Sequence, residues 1–371
     1  MKNVKIEAVE LKNFRNYTEA YVHPCEGVTV FTGDNAQGKT NILESVYLCC
    51  TGRSHRTPRD REMIKNGETT AYVKVCGRRG DGRHDVEMAL SVTEKRRIRV
   101  NGTQISRSGE LLGHITGVLF APEDLRMVKD GPAMRRHFID MELSQLRPRY
   151  YYALQRYARA LKQRNTLLRE CAAAGRAPDT LDVWDAELAQ SGSEIMSMRA
   201  SFIGGLAVRA EEIHAAVADN REKLSVTYEP DVRGGETAQE TAQNLLKALA
   251  DGRASDIKHM TTGAGPHRDD MGVFVNGMDA RAFGSQGQVR TCALSLKLSE
   301  IEIMKQESGE APVLMLDDVM SELDPNRRRL LIGYLDGVQT FVTCTDKDDL
   351  AGAEIGKLIV VKNASLSEAE N

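Results

Sequence analysis

No apolar run in the 371-residue sequence approaches the roughly 18 residues that a membrane span requires. The first residues carry charges at Lys2, Lys5, Glu7, Glu10 and Lys12, so the apolar segment of a secretory signal is missing too. Cysteine is scarce and oddly placed. There are seven, none forms a Cys-x-x-Cys pair, and Cys49 and Cys50 are adjacent, a pattern that suits neither a disulfide framework nor a zinc site. Aromatic residues amount to 5%, too few for an extended stacking platform under single-stranded nucleic acid. Internal repeats, sustained heptads and low-complexity tracts are lacking as well, which argues against solenoids and long coiled coils. These absences predict a cytoplasmic globular protein without membrane contact. Its length predicts two units or one large composite.

What the chain does have is charge, at 28% of residues against 41% hydrophobic, a balance that excludes a largely disordered chain. The net charge of -3 hides an asymmetry: residues 1–170 hold 30 Lys+Arg against 20 Asp+Glu, and the remainder holds 20 against 33. A basic first half is either a solvated face or a surface for a polyanion.

Alternation of apolar residues predicts strands over 4–11 and 17–22 about a turn at 13–16, and a compact β-branched strand over 27–32. Further strands are expected over 71–75, 86–92 and 96–100, with Asn101-Gly102 turning a hairpin. From residue 147 the spacing becomes helical, with a break at 175–178, a second long helix within 179–220, a strand at 224–228, a helix through Leu245 and Leu249, and a hairpin over 272–280. The stretch 365–371 reads as a mildly acidic tail.

The sharpest motif is Gly33-Asp34-Asn35-Ala36-Gln37-Gly38-Lys39-Thr40, a Gly-x-x-x-x-Gly-Lys-Thr sequence directly after the 28–32 strand. Glycines let successive backbone N–H groups turn inward around phosphate, Lys39 adds a point charge, and the Thr40 hydroxyl suits Mg²⁺. A phosphate-bound metal also wants a carboxylate. The apolar run 312–316 ends in Asp317, a metal ligand, and Asp318, placed to polarise an attacking water, although an apolar strand ending in acids is also ordinary structure. Ser285-Gln286-Gly287-Gln288 precedes a helical stretch at 289–303. It offers a hydroxyl, a glycine N–H and a helix N-terminus to a phosphate, or else simply caps the helix.

The order P-loop, Ser285 signature, Asp317-Asp318 strand and Ser321-Glu322-Leu323-Asp324 resembles an ABC-type ATPase head, in which two subunits sandwich two ATP molecules. Ser285 to Asp317 spans 32 residues, ordinary for the class. Thr40 to Ser285 spans 245, too long for a transporter head and too short for the arms of SMC-like proteins, while zinc-hook relatives need a Cys-x-x-Cys. What remains is similar to the RecF family along the whole chain: Leu11-Lys12-Asn13-Phe14-Arg15-Asn16-Tyr17, Phe120-Ala121-Pro122-Glu123-Asp124-Leu125, Gly265-Pro266-His267-Arg268-Asp269-Asp270 and Gly284-Ser285-Gln286-Gly287-Gln288.

The resemblance implies an α/β ABC-type head, a P-loop mixed sheet with an antiparallel β addition, as an ATP-binding lobe of 1–120 plus 301–371. An inserted, mainly helical lobe of 121–300 carries the signature. It implies ATP and Mg²⁺ as cofactors, with Arg15 and Asn16 joining the P-loop and signature residues around the nucleotide, Lys39 and Asp318 serving catalysis, and Thr40 and Asp317 holding the metal. It implies an ATP-dependent homodimer that acts at DNA gaps in recombinational repair, replication restart and the SOS response, cooperating with RecR and RecO to place recombinase. Double-stranded and single-stranded DNA are the expected partners, met by Arg53, Arg56, Arg59, Arg96 and Arg97. Further arginines lie on the hairpin region and on the first long helix, up to Arg164.

Three departures from the general ABC pattern imply slow, DNA-stimulated turnover that acts as a switch. Asp318 stands where a glutamate is usual, Cys344 where a switch histidine is usual, and Glu123 lies where the metal-sensing glutamine would fall. His267 is either a substitute phosphate sensor or a structural histidine. The rival reading is a soluble ATPase subunit driving a partner other than DNA. A nuclease of the overcoming-lysogenisation-defect type would need a Toprim-like acidic domain after the head.

Overall fold

The computed structural model of the chain describes residues 2–80, 82–174 and 180–369. It divides into two compact units, one of Met1–Leu125, Ile213–Asn220 and Arg290–Asn371, the other of Arg126–Glu212 and Arg221–Val289. The expected boundaries at 120/121 and 300/301 differ from these. The last change of unit falls between Val289 and Arg290, inside helix Gln286–Ser308, and the end of helix Leu181–Val217 belongs with the first unit. Both helices continue through a boundary, which periodicity alone does not mark.

The first unit is an α/β head built on two six-stranded sheets. One has the order Ser365–Ala369, Ile355–Lys362, Val28–Thr32, Thr340–Cys344, Val313–Asp317, Gly117–Phe120, parallel except for the Ser365–Ala369 edge. Val313–Asp317 and Thr340–Cys344 are buried along their whole length, which is why they read as continuous apolar runs rather than as alternation. The second sheet is antiparallel, with Tyr17–Val22, Lys5–Phe14, Thr70–Arg79, Gly82–Ser91, Arg97–Val100 and Thr103–Ile105 in that order. Its strands alternate between buried and exposed positions, as a sheet with one wet face must. Helix Lys39–Thr51 contacts strands of both sheets and is buried at nearly every position.

The second unit carries helices Pro132–Leu146, Pro148–Ala174, most of Leu181–Val217 and Ala238–His259, together with a small sheet of Leu224–Glu229, Asp270–Val275 and Met278–Asp279. Periodicity predicted helices only from 147, and Pro132–Leu146 precedes that point. The predicted break at 175–178 lies outside the described residues. Two buried arginines organise this unit. Arg164, with no exposed surface, bonds Asp185 and Asp256, each at 2.5 Å. Arg199 bonds Asp140 at 2.8 Å, Asp269 at 3.0 Å and the Pro266 carbonyl at 2.6 Å. Arg164 is therefore a core ion-pair residue, not the surface charge that its place in a basic helix suggested. Among the described residues, no helix is long and apolar enough to cross a membrane.

Candidate functional site

Strand Val28–Thr32 delivers residues 33–38 to the carboxyl ends of the parallel sheet, and Lys39 starts the helix that follows. Two backbone conformations there exclude ordinary side chains. Gly33 has φ 150°, and a Cβ on it would lie 2.3 Å from the Val361 carbonyl oxygen. Gly38 has φ 117°, and a Cβ would meet Asn16 and the Tyr17 hydroxyl within 3 Å. The Lys39 ammonium donates to the carbonyls of Gly33 at 2.6 Å and Asp34 at 3.2 Å, and it has no carboxylate partner among the described residues. A half-enclosed cavity of about 360 Å³ opens here, lined by Asn16, the loop from Asn35 to Thr40, Asn41, Arg56 and Asp318.

Strand Thr340–Cys344 separates the loop strand from Val313–Asp317, and the register sets Asp317 beside Thr343 and Thr343 beside Phe31. Asp317 Oδ1 accepts from Thr40 Oγ1 at 2.8 Å and from Thr343 Oγ1 at 2.7 Å. Burial pushes the Asp317 carboxyl up; the two hydroxyls oppose this, but the charges of Asp318 and Glu123 add to it, and the net direction is upward. Asp318 has a left-handed backbone, φ 51°, with its N–H on Thr343 Oγ1 at 2.9 Å, and its side chain lines the cavity. A buried carboxylate crowded by like charge and backed by hydroxyls suits a hard divalent cation. No cluster of three or more His, Cys, Asp or Glu with metal-binding geometry occurs among the described residues.

Arg15, expected at the nucleotide, is held elsewhere. It is bidentate to Glu44, at 2.8 and 2.5 Å, and donates to the Glu62 carbonyl at 2.6 Å. Burial alone would raise the Glu44 carboxyl, but Arg15 and the Ser54 hydroxyl outweigh it and hold the group below its usual range. Arg56, expected on DNA, instead reaches the cavity, bonded to Asn41 Oδ1 at 2.8 Å. Arg96, also expected on DNA, pairs with Asp60 at 3.1 Å and donates to the Gly52 carbonyl at 2.5 Å, a structural clamp. Arg53, Arg59 and Arg97 are exposed, the latter two beside Glu62 and Glu94. Asn41 and Arg56 are the lining residues that motif reading did not assign to the nucleotide. Adjacency to Thr40 pointed to Asn41, whereas nothing in the sequence pointed to Arg56.

Ser285 to Gln288 opens helix Gln286–Ser308. The Gln288 N–H donates to Ser285 Oγ at 3.2 Å and the Ser285 N–H to Gln288 Oε1 at 2.9 Å, a reciprocal cap that leaves the serine its own proton to donate. Two residues earlier, Phe283 is 72% exposed. His267 bonds the Tyr157 hydroxyl at 2.7 Å through Nδ1 and the Thr262 carbonyl at 3.1 Å through Nε2, so both ring nitrogens serve structure. Cys344 ends its strand as a buried thiol, pushed up to about 11 by burial.

A glycine-bounded loop on a parallel sheet, a lysine at its base, and a threonine–aspartate contact one strand away define an ATPase head of the ABC/SMC class. The RecF/RecN/SMC N-terminal domain family matches residues 5–367. The DNA replication and repair protein RecF of Acetivibrio thermocellus is 41% identical over 359 residues, covering 96% of this chain and 97% of that protein. The RecF of Lachnospira eligens is 44% identical over 346 residues, covering 93% of each. A solved structure of the recombination mediator RecF with ATP, of the RecFOR pathway, superposes with a TM-score of 0.93 at 35% identity, covering 99% of this chain and 98% of that one. The Smc head of Pyrococcus furiosus shares the fold, with a TM-score of 0.57 at 16% identity. The chain belongs to the RecF family of DNA replication and repair proteins.

Proposed function

We propose that the chain is an ATP-switched DNA clamp. ATP on the 33–40 loop brings two copies together, the paired form holds DNA at gaps, and slow hydrolysis releases it, so that recombinase is placed on gapped DNA with RecO and RecR. The observation that carries this is the 2.8 Å contact between Thr40 and Asp317, residues 277 apart, which supports a single nucleotide–metal site made from both. In this reading Lys39 and the loop N–H groups hold the phosphates, Thr40 and Asp317 hold Mg²⁺, and Asp318 orients water. Mg²⁺, when bound, neutralises charge on the phosphate oxygens. The short Asp318 side chain and the neutral thiol of Cys344 support slow turnover, because neither matches the reach or donor strength of the usual glutamate and histidine. The exposed Phe283 beside Ser285 supports a surface covered by a second copy.

The test is a complementation of two variants. Ser285→Arg should keep nucleotide binding yet fail to dimerise with ATP, since an arginine does not fit where a hydroxyl meets phosphate. Mixed with Lys39→Ala, it yields a heterodimer in which one composite site carries both lesions and the other carries neither. ATP-dependent dimer and ATPase appearing only in the mixture, by sedimentation and phosphate release, is the expected result. Full dimerisation of Ser285→Arg alone would return this segment to a helix cap.

The DNA reading rests on the exposed arginines. Replacing Arg53 and Arg97 together by alanine should weaken duplex binding and reduce the slope of log affinity against log salt by up to about 2, near 0.9 per phosphate contact. Arg96→Ala should mainly lower thermal stability. A wild-type salt slope for the Arg53/Arg97 pair, by fluorescence anisotropy, would leave that surface merely solvated.

A further inference from the structure

The loop that leads to Lys39 is gripped by the segment just before the stretch that reads as a tail. Strand Ile355–Lys362 pairs in parallel with Val28–Thr32, and the turn after it, Asn363 and Ala364, has positive φ at both residues, 50° and 57°. The close approach of Val361 to Gly33 is the first contact of this segment with the loop. The Asn363 N–H then donates to Gln37 Oε1 at 2.5 Å and the Ala364 N–H to the Gln37 carbonyl at 3.2 Å. From the other side the same carbonyl accepts Asn16 Nδ2 at 3.0 Å. Between these anchors Ala36 is held at φ 64°, a conformation that a non-glycine residue keeps only where its surroundings impose it.

A trans peptide is planar, so its C=O and its N–H point in opposite directions. There is no cis peptide in the described residues. Holding the Gln37 carbonyl therefore fixes the Gly38 N–H on the opposite side of that peptide. On the nucleotide reading above, we propose that the turn Asn363–Ala364 is a positioning element for a nucleoside di- or triphosphate: it locks the Gln37–Gly38 peptide so that the Gly38 N–H, not a carbonyl oxygen, faces phosphate. Released from the turn, the peptide is free to rotate. Each rotated molecule exchanges a charge-assisted donor for a repulsive oxygen.

Asn363→Pro tests this, because proline lacks the N–H and cannot adopt positive φ. Asn363→Gly keeps both features and is the conservative form. Calorimetric titration with MgADP and with MgATP should show Asn363→Pro weakened roughly tenfold to a hundredfold for both nucleotides, since both carry the β-phosphate, and Asn363→Gly close to wild type. Amide exchange at Gly38 in the nucleotide-free protein should rise in the proline variant. If that variant does not fold, Gln37→Leu, which removes the acceptor of the Asn363 N–H, should still lose ADP affinity by at least about threefold. Wild-type ADP affinity in a folded Asn363→Pro protein, or in Gln37→Leu, would overturn the proposal. Lys39→Ala measured alongside separates the two levels: affinity lost there but intact in the turn variants removes only the positioning role, and affinity intact in Lys39→Ala removes the nucleotide reading itself.

Discussion

Lys39→Ala is expected to abolish the stabilisation of the protein by MgATP while leaving the nucleotide-free protein as stable as before, or slightly more so. Lys39 is 4% exposed, and among the described residues its ammonium bonds the carbonyls of Gly33 and Asp34 and pairs with no carboxylate, so a buried positive charge lacks a counter-charge there. Removing it costs two hydrogen bonds but also removes a desolvation penalty, and the two roughly offset. With nucleotide bound the balance reverses, because phosphate supplies the missing negative charge. Losing that pairing should cost on the order of 3 kcal/mol, more than a hundredfold in affinity. Thermal melts with and without MgATP read both halves at once. An alanine variant that MgATP still stabilises as it does wild type would end the assignment of the loop.

The largest effect on stability is expected at Arg164. Its guanidinium joins Asp185 of helix Leu181–Val217 to Asp256 of helix Ala238–His259, and adds Thr262 Oγ1 at 3.0 Å. Arg164→Met leaves two buried carboxylates facing an apolar chain, a loss of about 3 to 5 kcal/mol. Arg253, 2.6 Å from Asp185, relieves part of this, which places Asp256 as the worse stranded of the two. Replacing Arg164, Asp185 and Asp256 together by apolar residues of similar volume should recover most of the loss, since the pair attraction and the desolvation cost disappear together. Urea denaturation followed by helical circular dichroism distinguishes the single from the triple variant. A single variant within about 0.5 kcal/mol of wild type would show that the buried charges are not interdependent.

The strand, loop and helix around residues 33–40 were legible because the glycine–lysine–threonine spacing is a local pattern, and the strand ending at Asp317 because a doubly covered strand is apolar along its length. The antiparallel sheet showed in its alternation and in Asn101-Gly102. Arginine roles were not legible in the same way. Composition counts charges but not partners, so Arg15, Arg96 and Arg164 looked available when Glu44, Asp60 and Asp185 already held them. Ser365–Ala369 looked like a tail because an edge strand with one wet face carries little apolar signal. Strand Gly117–Phe120 escaped notice because four residues are too few to show a period.

The placement of Val28–Thr32 has a consequence for how the chain is made. Its hydrogen-bonded neighbours are Thr340–Cys344 and Ile355–Lys362, each more than 300 residues later. During synthesis the early strand waits, unpaired on both edges, until more than 300 further residues have been made. Pairings so distant in sequence close slowly and expose strand edges in the meantime. The helical second unit draws only on residues 126–212 and 221–289 and can mature first. The parallel sheet beneath the 33–38 loop thus closes late and all at once.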